Sequence, residues 1–261
     1  MARRIVFTSG KGGVGKTTVC AGLGMKLASL GFRVVVLDMD IGLNNQDVVM
    51  GLENHVSFDI VDVILGKCRL KQALVQHDKY PSLYILPSTH SLAETLITNE
   101  QIRGVVETLS LSFDYILIDS PAGVDEGFRR AVFLASEAIV VTTPHISSIR
   151  DADKVLSILS GYDLLGTSLI VNRVRGDLIA SNDTLDLGEI VRFLKVKLLG
   201  TVPEEEEITK TTTLTATSSE LNRAMSLLAE NIHNGTKKIF DCSKKYRGFW
   251  GTIRRGIKRK V

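Results

Sequence analysis

Ser9-Gly10-Lys11-Gly12-Gly13-Val14-Gly15-Lys16-Thr17-Thr18 is the stretch from which the rest of the chain is read. It holds the pattern G-x-x-x-x-G-K-[ST] at Gly10, Gly15, Lys16 and Thr17. An apolar, strand-like run precedes it, Ile5-Val6-Phe7-Thr8, and helical periodicity follows from Val19 to Leu30. In that context the backbone amides of Gly10 to Gly15 curl around phosphates without side chains in the way. The following helix turns its free N–H groups and positive dipole end to the same anion. Lys16 brings charge to the β- and γ-phosphates, and the Thr17 hydroxyl, with Thr18 beside it, is placed for Mg²⁺.

Working outward, the chain has 261 residues, 44% hydrophobic and 23% charged. That is enough for one well-buried core. No run approaches the ~18–20 apolar residues of a membrane span. Met1-Ala2-Arg3-Arg4 leads straight into the first strand, which leaves no room for a signal or transit peptide. The 3 cysteines (Cys20, Cys68, Cys242) are far apart and odd in number, as expected of a reducing, cytoplasmic compartment without a disulfide framework. The 5 histidines are scattered, with no metal cluster of Cys and His. The net charge of +3 is uneven: residues 237–261 hold ten Lys or Arg and one acid, +9, leaving −6 for the body. A body of that sign argues against general nucleic-acid binding.

Continuous apolar runs recur at 33–38, 83–87, 114–119, 138–142, 168–172 and 198–203. They read as strands buried on both faces. Helical periodicity fills 58–65, 100–109, 128–135, 149–159, 187–194 and 220–232. This alternation predicts an α/β fold with one doubly wound, mainly parallel sheet and helices on both faces, with ligands at the carboxyl ends of the strands. Two of the runs close on an acid there, Asp38 and Asp119, making them candidate Mg²⁺ ligands beside Thr17; the Asp119 layout is that of Walker B. Asp40 is a candidate for orienting an attacking water. Glu204 to Ser219 reads as an exposed connection.

The lysine at the second loop position, Lys11, completes the deviant Walker A pattern K-G-G-x-G-K-[ST]. The chain thereby resembles the MinD/ParA group of ATPases, a likeness that runs through most of its length. Asp38 to Asp47 is similar to that group's switch I, Asp119-Ser120-Pro121-Ala122-Gly123 to its switch II, and Ser147 to Asp153 to the helix start that receives partner proteins. The Ser-Pro-Ala-Gly segment and Asp47 to Glu53 resemble the MinD branch, which positions division sites in bacteria and plastids. The resemblance implies an Mg²⁺-dependent ATPase. Lys16 and the loop from Gly10 to Thr18 would hold ATP, Lys11 would reach across an ATP-bound homodimer to the partner's phosphates, Thr17 and Asp119 would hold Mg²⁺, and Asp40 would place the water. Asn172 resembles the adenine contact; the lesser alternative is an amide closing a loop. Glu53, Asp151 and Asp153 are candidate contacts for a MinC-like division inhibitor and a MinE-like regulator. One departure stands out: Thr211 to Ser219 replaces the usual Asn-x-Gly-x-Pro segment.

Residues 1–236 therefore read as the ATPase domain and 237–261 as a basic tail. At 100° per residue from Tyr246, Phe249 falls at about −60°, Trp250 at about +40°, Ile253 at about −20° and Ile257 at about +20°. Five apolar residues share one arc, with the cations opposite, which is the pattern of a helix lying on an anionic membrane surface. Lys and Arg among aromatics also suit nucleic acid, but the narrow arc favours lipid, and no specific nucleic acid is expected. Reversible, peripheral membrane association follows, on the inner face of a cell membrane or in a plastid stroma. The rival readings are a flagellar-number regulator, which would carry an N-terminal activator helix, and a ParA-type DNA partition ATPase, which would have a basic body. A metal-cluster carrier would need paired cysteines.

Overall fold

The computed structural model describes residues 2–40, 46–88, 97–205, 218–248 and 251. Its strands are β1 (Arg3–Thr8), β2 (Val34–Asp38), β3 (Val75–Gln76), β4 (Leu83–Leu86), β5 (Tyr115–Asp119), β6 (Glu137–Thr142), β7 (Gly166–Val174) and β8 (Lys197–Pro203). They form one sheet in the order β3-β4-β2-β5-β1-β6-β7-β8. Every pairing is parallel except β3 with β4. The helices are α1 (Lys16–Ser29), α2 (Gln46–Met50), α3 (Ile60–Ile64), α4 (Leu70–Ala73), α5 (Asn99–Ser110), α6 (Glu126–Leu134), α7 (Ile146–Leu159), α8 (Gly176–Ala180), α9 (Leu187–Leu194) and α10 (Ser219–Asn234).

The continuous apolar runs have their reason in two cores. Successive strand residues point to opposite faces. Val6, Val35, Leu37, Ile116, Ile118 and Val140 meet α3, α5, α6, α7 and α9 on one face. Ile5, Phe7, Val34, Val36, Leu117 and Val141 meet α1 and α10 on the other. The doubly wound parallel sheet is thus as expected. Four short elements were not anticipated. β3, α2, α4 and α8 have two to five residues, too few for a period to show. α1 also starts earlier than its apolar pattern, at Lys16, because Gly15 in the left-handed region (φ 84°) turns the loop directly into the helix.

Parallel order brings the carboxyl ends of β1, β2, β5, β6 and β7 to one edge. Asp38 and Asp119 are register partners there, beside the loop that leaves β1.

Candidate nucleotide site

The loop between β1 and α1 is shaped by what its glycines lack. A Cβ at Gly10 would collide with the backbone of Asp151 in α7, and one at Gly15 with the Asn172 side chain. Gly13 and Gly15 both have positive φ. Ser9 donates its hydroxyl to the Lys11 carbonyl at 3.0 Å, and the Gly123 N–H donates to Ser9 O at 3.0 Å, tying the segment after β5 to the loop. Lys11 is exposed, with Nζ 3.2 Å from the Ser147 hydroxyl at the start of α7.

Lys16 is buried, and its Nζ donates to Asp119 Oδ1 at 2.6 Å. Burial opposes the ammonium charge, but the Asp119 carboxylate, its hydrogen bond and Asp38 outweigh it, so the Lys16 pKa is raised. Asp38 accepts the Asp40 N–H at 2.9 Å on one oxygen and the Gln46 N–H at 3.3 Å on the other. It thereby pins both ends of the 40–46 segment. Asp40 is half-buried; burial pushes its carboxyl up, Lys16 pulls it down and Asp119 pushes it up, with a net rise. Thr17 is half-buried, and no protein hydrogen bond to its hydroxyl is found among the described residues.

These residues fit Mg²⁺ and a nucleoside triphosphate. The loop is held against Asp151 and Asn172 at positions where only glycine fits, Gly10 and Gly15, the fourteen-residue α1 presents its N-terminus to it, and the buried Lys16 ammonium is paired with Asp119, the register partner of Asp38.

Asn172 is buried and donates Nδ2 to the Val14 carbonyl at 2.8 Å, so in this structure it closes the loop. It also borders a slot of about 230 Å³ with Thr18, Arg173, Pro203, Leu221 and Met225. The slot is also lined by Gly15, so it adjoins the glycine loop. The sequence did not point to Pro203, Leu221 or Met225, because the slot is assembled from β7, β8 and α10. Arg173, next to Asn172, holds φ 53° where the register between β7 and β8 shifts, so the slot's wall is set by a local irregularity that leaves no mark in the sequence.

Glu53 is exposed in a 3₁₀ turn, Glu53–His55. Asp151 and Asp153 lie on α7, whose backbone at Asp151 underlies Gly10. The structure therefore brings Asp151 next to the loop and leaves Glu53 apart on another element.

The C-terminal segment requires a correction. Lys238 to Tyr246, within the expected tail, packs on the body together with Thr236 just before it. Buried Asn231 of α10 donates to Leu199 O and Lys238 O, both at 2.8 Å, and accepts from Thr236 and the Lys238 N–H. Thr201 donates to Phe240 O at 2.6 Å. A Cβ on Gly176 would collide with the Cys242 carbonyl, and burial raises the Cys242 thiol pKa to about 12. Tyr246 is buried at the end of a 3₁₀ turn, Lys244–Tyr246. It does not open an exposed apolar arc: Arg247 is extended (φ −92°, ψ 155°) and separates the 3₁₀ turn from helical Gly248, so Tyr246 shares no continuous helix with the residues beyond. Phe249, Trp250, Ile253 and Ile257 lie outside the described residues, as do Ile41 to Asn45 of the expected switch I and the divergent segment from Thr211 to Thr217. Among the described residues no helix is long and apolar enough to cross a membrane.

A glycine cradle on the middle of a parallel sheet, with a lysine answering a strand-end carboxylate, places the chain among the phosphate-loop ATPases, and a family model described as an AAA domain matches residues 2–162. The septum site-determining protein MinD of Bacillus subtilis (strain 168) is 48% identical over 212 residues, covering 80% of this chain and 79% of its own. The MinC:MinD cell division protein complex of Aquifex aeolicus contains a chain that superposes with a TM-score of 0.82 at 37% identity, covering 90% of this chain and 97% of that one. The MinD of Pyrococcus horikoshii OT3, solved with Mg-ADP, gives a TM-score of 0.78 at 31% identity, covering 89% and 96%. The chain belongs to the MinD family of septum site-determining ATPases.

Proposed function

We propose that the protein is an ATP-operated membrane switch for division-site placement. ATP joins two copies, the dimer holds an anionic membrane through its C-terminal segments and recruits a MinC-like division inhibitor, and partner-stimulated hydrolysis, under a MinE-like or other topological regulator, releases it. The observation that carries this reading is the buried Lys16–Asp119 pair beneath the glycine loop. Each partner is suited to a different part of Mg-ATP. Lys16 turns to the β- and γ-phosphates, and Asp119 is then free to hold the metal with Thr17. Bound Mg²⁺ would neutralise charge on the transferring phosphoryl group. Asp40 orients the attacking water, and its raised pKa brings it nearer to a base that works at neutral pH. The neighbourhood of Lys11, Ser147 and Asp151 supports a dimer and partner face around the loop. Two copies of a marginal membrane anchor bind far better than one through effective concentration.

Sedimentation of the protein with anionic liposomes in ATP, in ADP and without nucleotide tests the switch; only ATP should bring it down. Equal sedimentation in all three, or retention on DNA instead, would sink the reading. Two variants separate its steps. Asp40→Ala is expected to bind ATP and dimerise normally but to hydrolyse about 10²-fold or more slowly, so that it accumulates on liposomes; ordinary partner-stimulated turnover would remove Asp40 from the water's path. Lys11→Ala should bind ATP as a monomer, and light scattering that showed a full-strength ATP dimer would make Lys11 mere loop filler.

A further inference from the structure

At the opposite edge of the sheet from the phosphate loop, where β2 and β5 begin, a second cavity of about 630 Å³ opens to solvent. Its volume falls in the range that small-ligand sites occupy, roughly 300–1,000 Å³. The floor is apolar: Leu109 and Phe113 are buried, and Leu70 and Leu74 are packed against the core. One wall is aromatic, with the Tyr84 and Phe113 rings edge-to-face at 5.5 Å.

The rim is cationic, and no acid lines it. Arg33 sets its guanidinium over the Phe113 ring, 5.3 Å from the centroid. The Asp114 carboxylate, outside the lining, accepts the Arg33 backbone N–H at 2.8 Å. Lys71 stands on the rim with no carboxylate partner among the described residues. Many other surface cations of this chain do have one, such as Arg3 with Glu137, Lys67 with Asp62 and Lys238 with Glu230. The hydroxyls of Tyr84 and Ser112, also on the lining, have no hydrogen-bond partner among the described residues. Two cationic residues and two hydroxyl-bearing residues thus line a cavity with an apolar floor and an aromatic pair, and no acidic residue is among the lining.

We propose that this cavity is a binding site for a small amphipathic anion: a flat apolar body bearing one carboxylate, sulfonate or phosphate group. The flat body lies on Leu109 against the Tyr84–Phe113 wall, and the anionic group meets Arg33, Lys71 and the hydroxyls. The site is independent of the nucleotide loop, which lies at the other end of the same strands. The two strands that frame it end in Asp38 and Asp119, so its occupant would rest on the strands that carry the candidate metal ligands.

The test uses the full chain and two probes of one shape, naphthalene-1-sulfonate and the neutral 1-naphthalenemethanol, followed by calorimetry and ligand-observed NMR. One sulfonate should bind per chain at sub-millimolar concentration, and saturating Mg-ATP should not displace it. Arg33→Gln combined with Lys71→Gln should weaken the sulfonate at least ten-fold and the neutral probe less than two-fold. Both residues are exposed, and far-UV circular dichroism verifies that the variant is folded; Lys71→Glu alone serves as the second variant and should weaken the sulfonate in the same sense. Failure of the sulfonate to bind, displacement by Mg-ATP, or equal loss of both probes would each overturn the proposal.

Discussion

Lys16→Met is expected to unfold at markedly lower urea concentration than the parent even before any nucleotide is added. The substitution leaves Asp119, 1% exposed, without the cation that answers it. Breaking a buried pair from one side costs about 3–5 kcal/mol. For a chain of this size that is a drop of roughly 10 °C in Tm. Asp119→Asn in the same chain removes the stranded charge and should restore most of the loss, since replacing a whole buried pair by neutral groups is often close to neutral. Neither variant should bind ATP. A double-mutant cycle from urea melts gives the coupling directly. Additive losses would show that the pair is not coupled, and a single variant as stable as the parent would show that the ammonium is not what neutralises Asp119. The point bears on every binding assay that uses this position: loss of ATP affinity in Lys16→Ala signifies a lost phosphate contact only when the variant is shown to be folded at the assay temperature.

Trp250→Glu is expected to abolish ATP-dependent liposome binding while leaving ATP binding intact. In the proposed membrane-bound helix it removes a large apolar side chain from the arc expected for Phe249, Trp250, Ile253 and Ile257 and sets an anion against anionic lipid. Together these cost about 3 kcal/mol or more per tail, roughly a hundred-fold, and a dimer suffers the loss twice. Thr252→Glu, off the arc, changes net charge by the same amount and should cost about 1 kcal/mol. Sedimentation of both variants with the same liposomes decides. Equal losses would mean that charge alone governs the tail, and DNA would return as its partner.

The frame of the fold was legible because strands buried on both faces leave unbroken apolar runs, as in Val34 to Leu37 and Tyr115 to Ile118. β3 was not, since an edge pair of two residues leaves no pattern. The phosphate loop could be read because its chemistry is local to ten consecutive residues. The slot beside Asn172 could not, because β7, β8 and α10 contribute to it from distant parts of the chain. The pairing of Lys16 with Asp119 joins residues 103 positions apart, and only the sheet order brings them together. Tyr246 was misplaced for a different reason. A helical wheel presumes one continuous helix, and the extended backbone at Arg247 breaks it between Tyr246 and the residues beyond.

The docking of Tyr246 also sets a posture. Only Arg247 and Gly248 separate it from Phe249, a span of at most about 10 Å even when fully stretched. In the proposed membrane-bound state the body therefore does not swing on a long leash. It rides close to the lipid with its α8 and α10 flank turned down, beside β8 at one end of the sheet. The other end, where β3 and β4 lie, then looks away into the surrounding solution. A molecule approaching from that side would find the cavity rimmed by Arg33 and Lys71 open to it whether or not the protein is seated on a bilayer.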